Sequence, residues 1–195
     1  MLNSPGKAIY AAPGRLHKKH CPMRRFIRLT LLLTLVFALV GCDEESPYSS
    51  YVVNFSFDKS IHPYNQANSY GQFICVRRGA NAGQYKLTDA LGNTQTVNIP
   101  QIQVQQSTFY YGCGGLIIGT PMNCEGNIWA YDWACPKCDN SRYRVEIDYT
   151  MGHATCPNCG VKFDLNSSGI PIEGNSRPLW HYRVYDSGSN VLIQN

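Results

Sequence analysis

The sequence predicts an all-β protein in which a small cysteine-bearing unit is inserted between the strands. Three observations favour this fold class. The 195 residues include 13 Tyr, 17 Gly and 11 Pro, a composition typical of short strands joined by turns. No segment carries a helical stripe of apolar residues. The chain also changes pattern after residue 134, where four cysteines follow as two C-P-x-C pairs. At this length we expect one domain with a small subdomain.

The first 41 residues are predicted to be a leader. The segment MRRFIRLTLLLTLVFALVGC, residues 23–42, has a basic start, an apolar run from Leu29 to Val40, and a small Gly41 before Cys42. This order is typical of a secretory signal peptide. The apolar run of about a dozen residues is short for a permanent membrane helix, which is the alternative. Residues 1–22 do not fit a signal, so Met23 is a candidate for the true start.

The end of the leader resembles the lipobox of bacterial lipoproteins. Leu39, Val40 and Gly41 precede Cys42 in the order apolar, apolar, small, cysteine. The resemblance implies cleavage before Cys42, a diacylglycerol on its sulfur, and attachment to a membrane of the bacterial cell envelope. An ordinary signal with a chance cysteine is the alternative. Residues 42–50 then form an acidic, Ser-rich tether, and the acids after Cys42 resemble a surface-export signal, which points to the outer membrane or cell surface.

Charge argues against a nucleic-acid partner. The formal net charge is +4, but residues 1–41 hold seven basic side chains and no acid. The remaining residues hold ten basic and 13 acidic side chains, a net charge of −3. Without its leader the chain is mildly acidic and has no basic stripe.

The body is predicted to contain a β-rich base, residues 51–133 and 166–195, around an inserted unit, residues 134–165. The base strands follow from β-branched and aromatic residues that alternate or cluster between turn residues. They are YVVNFSF (51–57), QFICVRR (72–78), a hairpin in 84–99 around Leu91-Gly92-Asn93, short strands in QIQVQQ and STFYYG, the pair GLIIG (115–119) and NIWAYDW (127–133), and the closing strands LWHYRVYD and NVLIQ.

The inserted unit has the spacing of a metal site, C-x2-C-x17-C-x2-C. Two C-x-x-C pairs about 15 to 20 residues apart read as a tetrahedral thiolate site. Each C-P-x-C turn aims two sulfurs at one point, proline stiffens the turn, and Gly160 can adopt a positive φ. The predicted ligands are Cys135, Cys138, Cys156 and Cys159. Two disulfides are the alternative in an exported protein, and a thioredoxin-like dithiol would need a βαβ setting that is absent.

The segment from Gly112 to about Asp186 resembles the Rieske domain family. The stretch GGLIIGTPMNCEGNIWAYDWACP is similar to that family's entry into its first ligand loop. The stretch CPNCGVKFDLNSSGIPIEGNSRPLWHYRV is similar to the second loop and its exit. The resemblance implies a Rieske-like β-sandwich base with a small rubredoxin- or zinc-ribbon-like metal-binding subdomain. In the family that subdomain carries a [2Fe–2S] cluster for one-electron transfer.

The ligands depart from the Rieske pattern. Lys137 stands where the first ligand histidine would be, and Cys159 stands where the second would be. The site is therefore Cys₄, which accepts zinc, a single iron or an all-cysteine [2Fe–2S] cluster. We favour zinc slightly, because a chain exported unfolded would capture zinc more easily than it would assemble a cluster. Iron would make the protein an electron carrier with a redox partner. Zinc would make it a structural module for binding or assembly in the envelope.

The other reactive side chains are predicted to be structural. We expect one disulfide and one buried thiol among Cys75, Cys113 and Cys124, with Cys75–Cys113 as the guessed pair. His153 is expected on a loop rather than as a ligand, because four sulfurs already fill the site.

No enzymatic machinery is recognisable in the sequence. We find no Ser/His/Asp set, phosphate loop or paired carboxylates at a convincing spacing, so hydrolase and transferase activity is unsupported. Trp129, Trp133 and Trp180 are expected in the core and at its rim, and His62 and His181 are expected to be structural or solvated.

Overall fold

The computed structural model describes residues 48–99 and 109–195. The chain divides into two units, Met1–Glu44 and Glu45–Asn195, and the described residues all belong to the second. The predicted leader, Cys42 and most of the tether lie outside the described residues, as does QIQVQQ. Within residues 48–99 and 109–195, no helix has the length and apolar character needed to cross a membrane.

The regular secondary structure of the described residues consists of strands and one 3-10 turn at Tyr64–Asn68. The strands are β1 (Val53–Asp58), β2 (Gln72–Arg78), β3 (Gln84–Thr88), β4 (Thr94–Asn98), β5 (Tyr110–Tyr111), β6 (Leu116–Thr120), β7 (Trp129–Asp132), β8 (Glu146–Asp148), β9 (His153–Thr155), β10 (Lys162–Asp164), β11 (Ile170–Glu173), β12 (His181–Ser187) and β13 (Asn190–Gln194). The all-β prediction is confirmed, and the predicted hairpin in 84–99 and strand pair in 115–133 are both found.

Nine strands form the base, in the order β4-β3-β2-β6-β7-β12-β13-β1-β5. This ladder folds over on itself, as one contact between its two ends shows. The ring of Phe55 in β1 lies 5.5 Å from the ring of Tyr85 in β3, although the two strands are not neighbours in the ladder. Strand β12 joins the two layers. Its residues His181 and Tyr182 pair with β7, and its remaining residues pair with β13. The result is a sandwich whose two layers share one strand.

Strands β2 and β6 are buried on both faces. Ile74 and Ile118 face the core between the layers of the sandwich. Phe73 and Ile117, which point the opposite way, belong to a second core that lies under the small sheet. Because both faces are covered, these strands appear in the sequence as continuous apolar runs and not as alternating ones.

The inserted unit is a separate antiparallel sheet in the order β11-β10-β9-β8. Its strands have only three or four residues each. The predicted boundary at residue 165 differs from the observed pairing, because β11 pairs with β10 and so extends the small sheet to Glu173. A tight turn between β10 and β11, with Ser168 and Gly169 at φ +56° and +61°, returns the chain to the same sheet.

Candidate metal centre

Two loops of the small unit carry the four cysteines. The first loop, with Cys135 and Cys138, follows β7 and leads into β8. The second loop, with Cys156 and Cys159, connects β9 to β10. Strand β9 pairs with both β8 and β10. This pairing places the two loops side by side, as the spacing of the sequence predicts.

Both loops use the same turn. The amide of Asp139 donates to the carbonyl of Cys135 at 3.0 Å, and the amide of Gly160 donates to that of Cys156 at 2.9 Å. Asp139 and Gly160 also share a left-handed backbone, with φ of +45° and +71°. Glycine adopts this conformation freely, and aspartate is among the few other residues that tolerate it.

The four sulfurs converge on one point. Their Sγ atoms all lie within 4.8 Å of one another. Two of these distances join sulfurs of opposite loops, 3.6 Å for Cys135–Cys159 and 3.7 Å for Cys138–Cys156. A tetrahedral ion with metal–sulfur bonds of about 2.3 Å separates its sulfurs by about 3.8 Å. The predicted ligand set therefore forms a four-sulfur cluster with the size of a one-ion site.

Main-chain amides stabilise the thiolates. The turns direct the amides of Cys138 and Lys137 at the sulfur of Cys135, and the amides of Cys159 and Asn158 at that of Cys156. Burial nevertheless raises the pKa of both inner thiols. Protons therefore compete with a metal ion for these sulfurs, and acidification should weaken metal binding.

The centre has a buried side and a side near solvent. Cys135 and Cys156 are completely buried, whereas Cys138 and Cys159 are partly exposed. Burial works against the thiolate of Cys159 too, but the amide of Val161 and the neighbouring thiols together lower its pKa. The outer pair of sulfurs is the part of the centre that another molecule can reach.

The second core connects this centre to the base. The inner cysteines pack in one cluster with residues of β2, β6 and β7 below and of the small sheet above. Two hydrogen bonds cross this junction. Tyr131 donates its hydroxyl to the carbonyl of Leu165 at 2.8 Å in a buried bond, and Trp133 Nε1 donates to the carbonyl of Val145 at 2.7 Å in a partly buried one. The aromatic residues ahead of the first loop therefore hold the small sheet on the base.

Asp132 holds the entry to the first loop, a role that the sequence analysis missed. Its buried carboxylate accepts the amides of Cys113, Gly114 and Ala134 at 2.6 to 2.9 Å and the hydroxyl of Tyr182 at 2.6 Å. Burial raises the pKa of Asp132, and the four donors offset part of that rise. The signal that could have identified the role of Asp132 is an acidic residue inside the aromatic strand NIWAYDW.

Tyr51 supports the first loop from the outside. Its hydroxyl donates to Asp139 Oδ1 at 2.9 Å, and its ring lies edge-on to Trp180, with the centroids 5.4 Å apart. The guanidinium of Arg177 also lies over the ring of Trp180, 4.5 Å from its centroid. The two contacts of Tyr51 join positions more than 80 residues apart, so no local pattern in the sequence indicates them.

The remaining predicted residues have structural positions. His153 lies half-buried in β9, outside the four-sulfur cluster, and Lys137 is exposed. His181 packs its ring against those of Trp129 and Tyr131, and burial lowers its pKa.

The guessed disulfide is wrong. All seven cysteines in the described part of the chain are free thiols. Cys75 is completely buried, with its sulfur 3.9 Å from the hydroxyl of Tyr149. Cys113 lies partly exposed beside Tyr51, and Cys124 donates its thiol to the carbonyls of Pro121 and Asn127.

The fold and the site together define an all-β protein with a small four-cysteine subdomain whose sulfurs are arranged as a metal ion requires. Among solved structures, the chain is similar to the crystal structure of the plasma membrane Rieske protein PetC3 from the cyanobacterium Synechocystis PCC 6803. The two are 23% identical, the match covers 58% of this chain and 87% of that chain, and the TM-score is 0.35. No protein-family model and no curated protein matches the chain.

Proposed function

We propose that Cys135, Cys138, Cys156 and Cys159 bind one zinc ion, which stabilises the small sheet of an exported, lipid-anchored protein of the bacterial cell envelope. The observation that carries this proposal is the convergence of all four sulfurs within 4.8 Å. A zinc ion would supply four metal–sulfur bonds and no redox chemistry. The chain's own contribution is to aim the sulfurs, donate amides to them and bury one side of the centre.

A metal ion would add stability where the small sheet has few contacts of its own. Its strands have only three or four residues each, so few cross-strand pairs hold it together. A structural zinc site contributes folding free energy directly, because the ligands are brought together only in the folded state. A structural metal at this centre would allow the base to present the small sheet to a partner in the envelope.

The sulfur distances favour one ion over a [2Fe–2S] cluster. In an all-cysteine cluster two thiolates bind each iron, and the pairs on different irons are held apart by the bridging sulfides. Thiolates on different irons therefore lie farther apart than thiolates on one iron. Here no pair of sulfurs exceeds 4.8 Å. The cluster implied by the Rieske resemblance also lacks its two histidines, replaced by Lys137 and Cys159.

A single iron is the second candidate, and the exposure of the outer sulfurs supports it. An iron held by four thiolates can carry one electron, and Cys138 and Cys159 reach the surface, where a redox partner could approach. In that case the protein would be an electron carrier and not itself an enzyme. The ligand set is the same for both metals, so metal content decides between them.

The test is a metal analysis of residues 43–195 purified without chelator. We expect one zinc per chain and a colourless sample. The variant C138S/C159S, which removes the outer sulfurs, should bind about one-tenth as much zinc or less. Iron with a visible absorption that dithionite bleaches would establish the electron carrier. A metal-free protein whose loops yield disulfide-linked peptides would contradict both metal proposals.

The anchor requires a separate test on the full chain expressed in a bacterium. Wild-type protein should incorporate a labelled fatty acid and partition with membranes, whereas Cys42→Ser should do neither. Cys21→Ser is the matched control, because residue 21 precedes the predicted signal and its loss should change nothing. Protease treatment of intact cells would then locate the protein, and its digestion would support the cell surface. Labelling of Cys42→Ser would contradict lipidation at that residue.

A further inference from the structure

The two cysteine turns differ in the residue between proline and the second cysteine. This residue is Lys137 in the first turn and Asn158 in the second. Asn158 directs its side-chain amide across the centre, with Nδ2 3.3 Å from Cys138 Sγ in the opposite turn. Lys137 is exposed, and in the described ranges its side chain makes no such bond to a sulfur. The two turns are therefore alike in backbone and unlike in their contacts with the sulfurs.

A difference in turn length explains why Cys138 needs a donor. The second turn rejoins its strand quickly: the amide of Cys156 donates to the carbonyl of Val161, and the amide of Val161 in turn faces Cys159 Sγ. The first turn is three residues longer, since the amide of Cys135 donates to the carbonyl of Tyr143. Strand pairing therefore does not fix the residue two positions after Cys138. The side chain of Asn158 supplies a donor at that sulfur.

We propose that Asn158 is a positioning residue that caps the Cys138 thiolate, in place of the main-chain amide that Cys159 receives from Val161. This inference rests on the proposed metal centre, because a metal keeps the sulfur in its thiolate form. A hydrogen bond donated to a thiolate draws charge from it and lowers its nucleophilicity. The inner sulfurs are protected by burial, so the reactivity of the loaded centre is that of Cys138 and Cys159.

The test is slow alkylation of zinc-loaded protein with iodoacetamide, in which a thiolate sulfur bonds to the carbon and iodide leaves. Peptide mapping gives the rates at Cys138 and Cys159 in the same molecule, so Cys159 is an internal reference. In Asn158→Ala the ratio of the Cys138 rate to the Cys159 rate should rise about fivefold, which corresponds to one ordinary hydrogen bond. Asn158→Asp should raise it at least as much, because a carboxylate repels the thiolate.

Two further variants separate a hydrogen bond from a general disturbance. Asn158→Gln keeps an amide donor and should return the ratio toward the wild-type value. Lys137→Ala changes the equivalent position of the other turn and should leave the ratio unchanged. An unchanged ratio in Asn158→Ala, or an equal rise in Lys137→Ala, would overturn the proposal.

Metal content distinguishes this inference from the function on which it rests. If the wild-type protein takes up no zinc or cobalt, the proposed metal centre fails and the role of Asn158 fails with it. If only Asn158→Ala loses its metal, Asn158→Gln decides: retained metal supports the donor, and lost metal overturns it. If the wild-type protein binds one metal ion per chain and all variants give the same alkylation ratio, the metal centre is supported and the role of Asn158 is rejected.

Discussion

Asp139 and Gly160 close the two cysteine turns in the same left-handed conformation, but they do so for different reasons. Gly160 has no Cβ, and a Cβ built there would meet nothing within 4 Å, so only its backbone conformation requires glycine. Asp139 carries a side chain at φ +45° and receives a hydrogen bond from Tyr51. The role of Gly160 in the turn could be predicted from the sequence, whereas the role of Asp139 depends on Tyr51, which lies 88 positions away.

Gly160→Ala should therefore destabilise the metal turn through its backbone alone. We expect a loss of about 1 to 2 kcal/mol in the free energy of unfolding, the usual cost of a left-handed alanine. Metal affinity should fall as well, because the turn that aims Cys159 shifts. Urea denaturation and competition with a chelator measure the two effects.

Gly188 provides the matched control for this substitution. It has φ +64° and open space around a built Cβ, but it lies in the turn between β12 and β13. Gly188→Ala should cost a similar amount of stability and leave metal affinity unchanged. Equal metal affinity in the two variants would show that the turn at Gly160 does not position a ligand.

At the scale of elements, the strands could be predicted because their patterns are local. The sequence predicts strand β2 at its observed residues, 72–78, and it predicts the turn of the 84–99 hairpin at its observed position. The end of the small sheet could not be predicted, because β11 is short and mostly exposed and is defined only by its pairing with β10. The carboxylate of Asp132 likewise has donors from three separate segments, which no window of sequence contains.

Removal of the metal should loosen the small sheet and leave the base folded. With a chelator, amides of β8, β9 and β10 and of the two cysteine turns should exchange with deuterium roughly tenfold faster or more, because their short ladders depend on the metal. Amides of β2 and β6 should keep their protection, since both faces of these strands are covered.

Hydrogen exchange followed by mass spectrometry measures both regions in one experiment. The variant C138S/C159S is the control, because a protein that no longer holds the metal should not respond to the chelator. Equal loss of protection in β6 and β9 would contradict a metal that stabilises only the inserted unit.

At the scale of the whole molecule, the sequence predicts an all-β base with a separate cysteine-bearing unit, but not the way these parts are joined. The cysteine spacing indicated the centre, and the apolar runs indicated a base. The junction depends on Tyr131 and Trp133, whose hydrogen bonds reach carbonyls 34 and 12 residues away. The sequence predicts Trp133 only in the core or at its rim. Its acceptor is a main-chain carbonyl, which every residue carries, so residue types do not identify it.

Tyr131→Phe should weaken the attachment of the small sheet to the base. The substitution removes a hydroxyl and leaves the buried carbonyl of Leu165 without its partner, which should cost about 1 to 2 kcal/mol. Tyr110→Phe is the matched control, because Tyr110 is 48% exposed at the edge of the base and should change stability by less than about 0.5 kcal/mol. Urea denaturation compares the two, and equal losses would contradict a role for the Tyr131 hydroxyl in the junction.

The pairing of β1 with β13 has a consequence for the order in which the molecule can be built. More than 130 residues separate these neighbouring strands. A ribosome that adds roughly 5 to 20 residues per second makes β1 wait on the order of 10 s for β13. Strands β2, β3, β4, β6 and β7 can meanwhile pair with one another and form the layer on which the cysteine turns pack. Until β13 arrives, the apolar face of that layer has no cover, so a chaperone or rapid export would protect the nascent chain from aggregation.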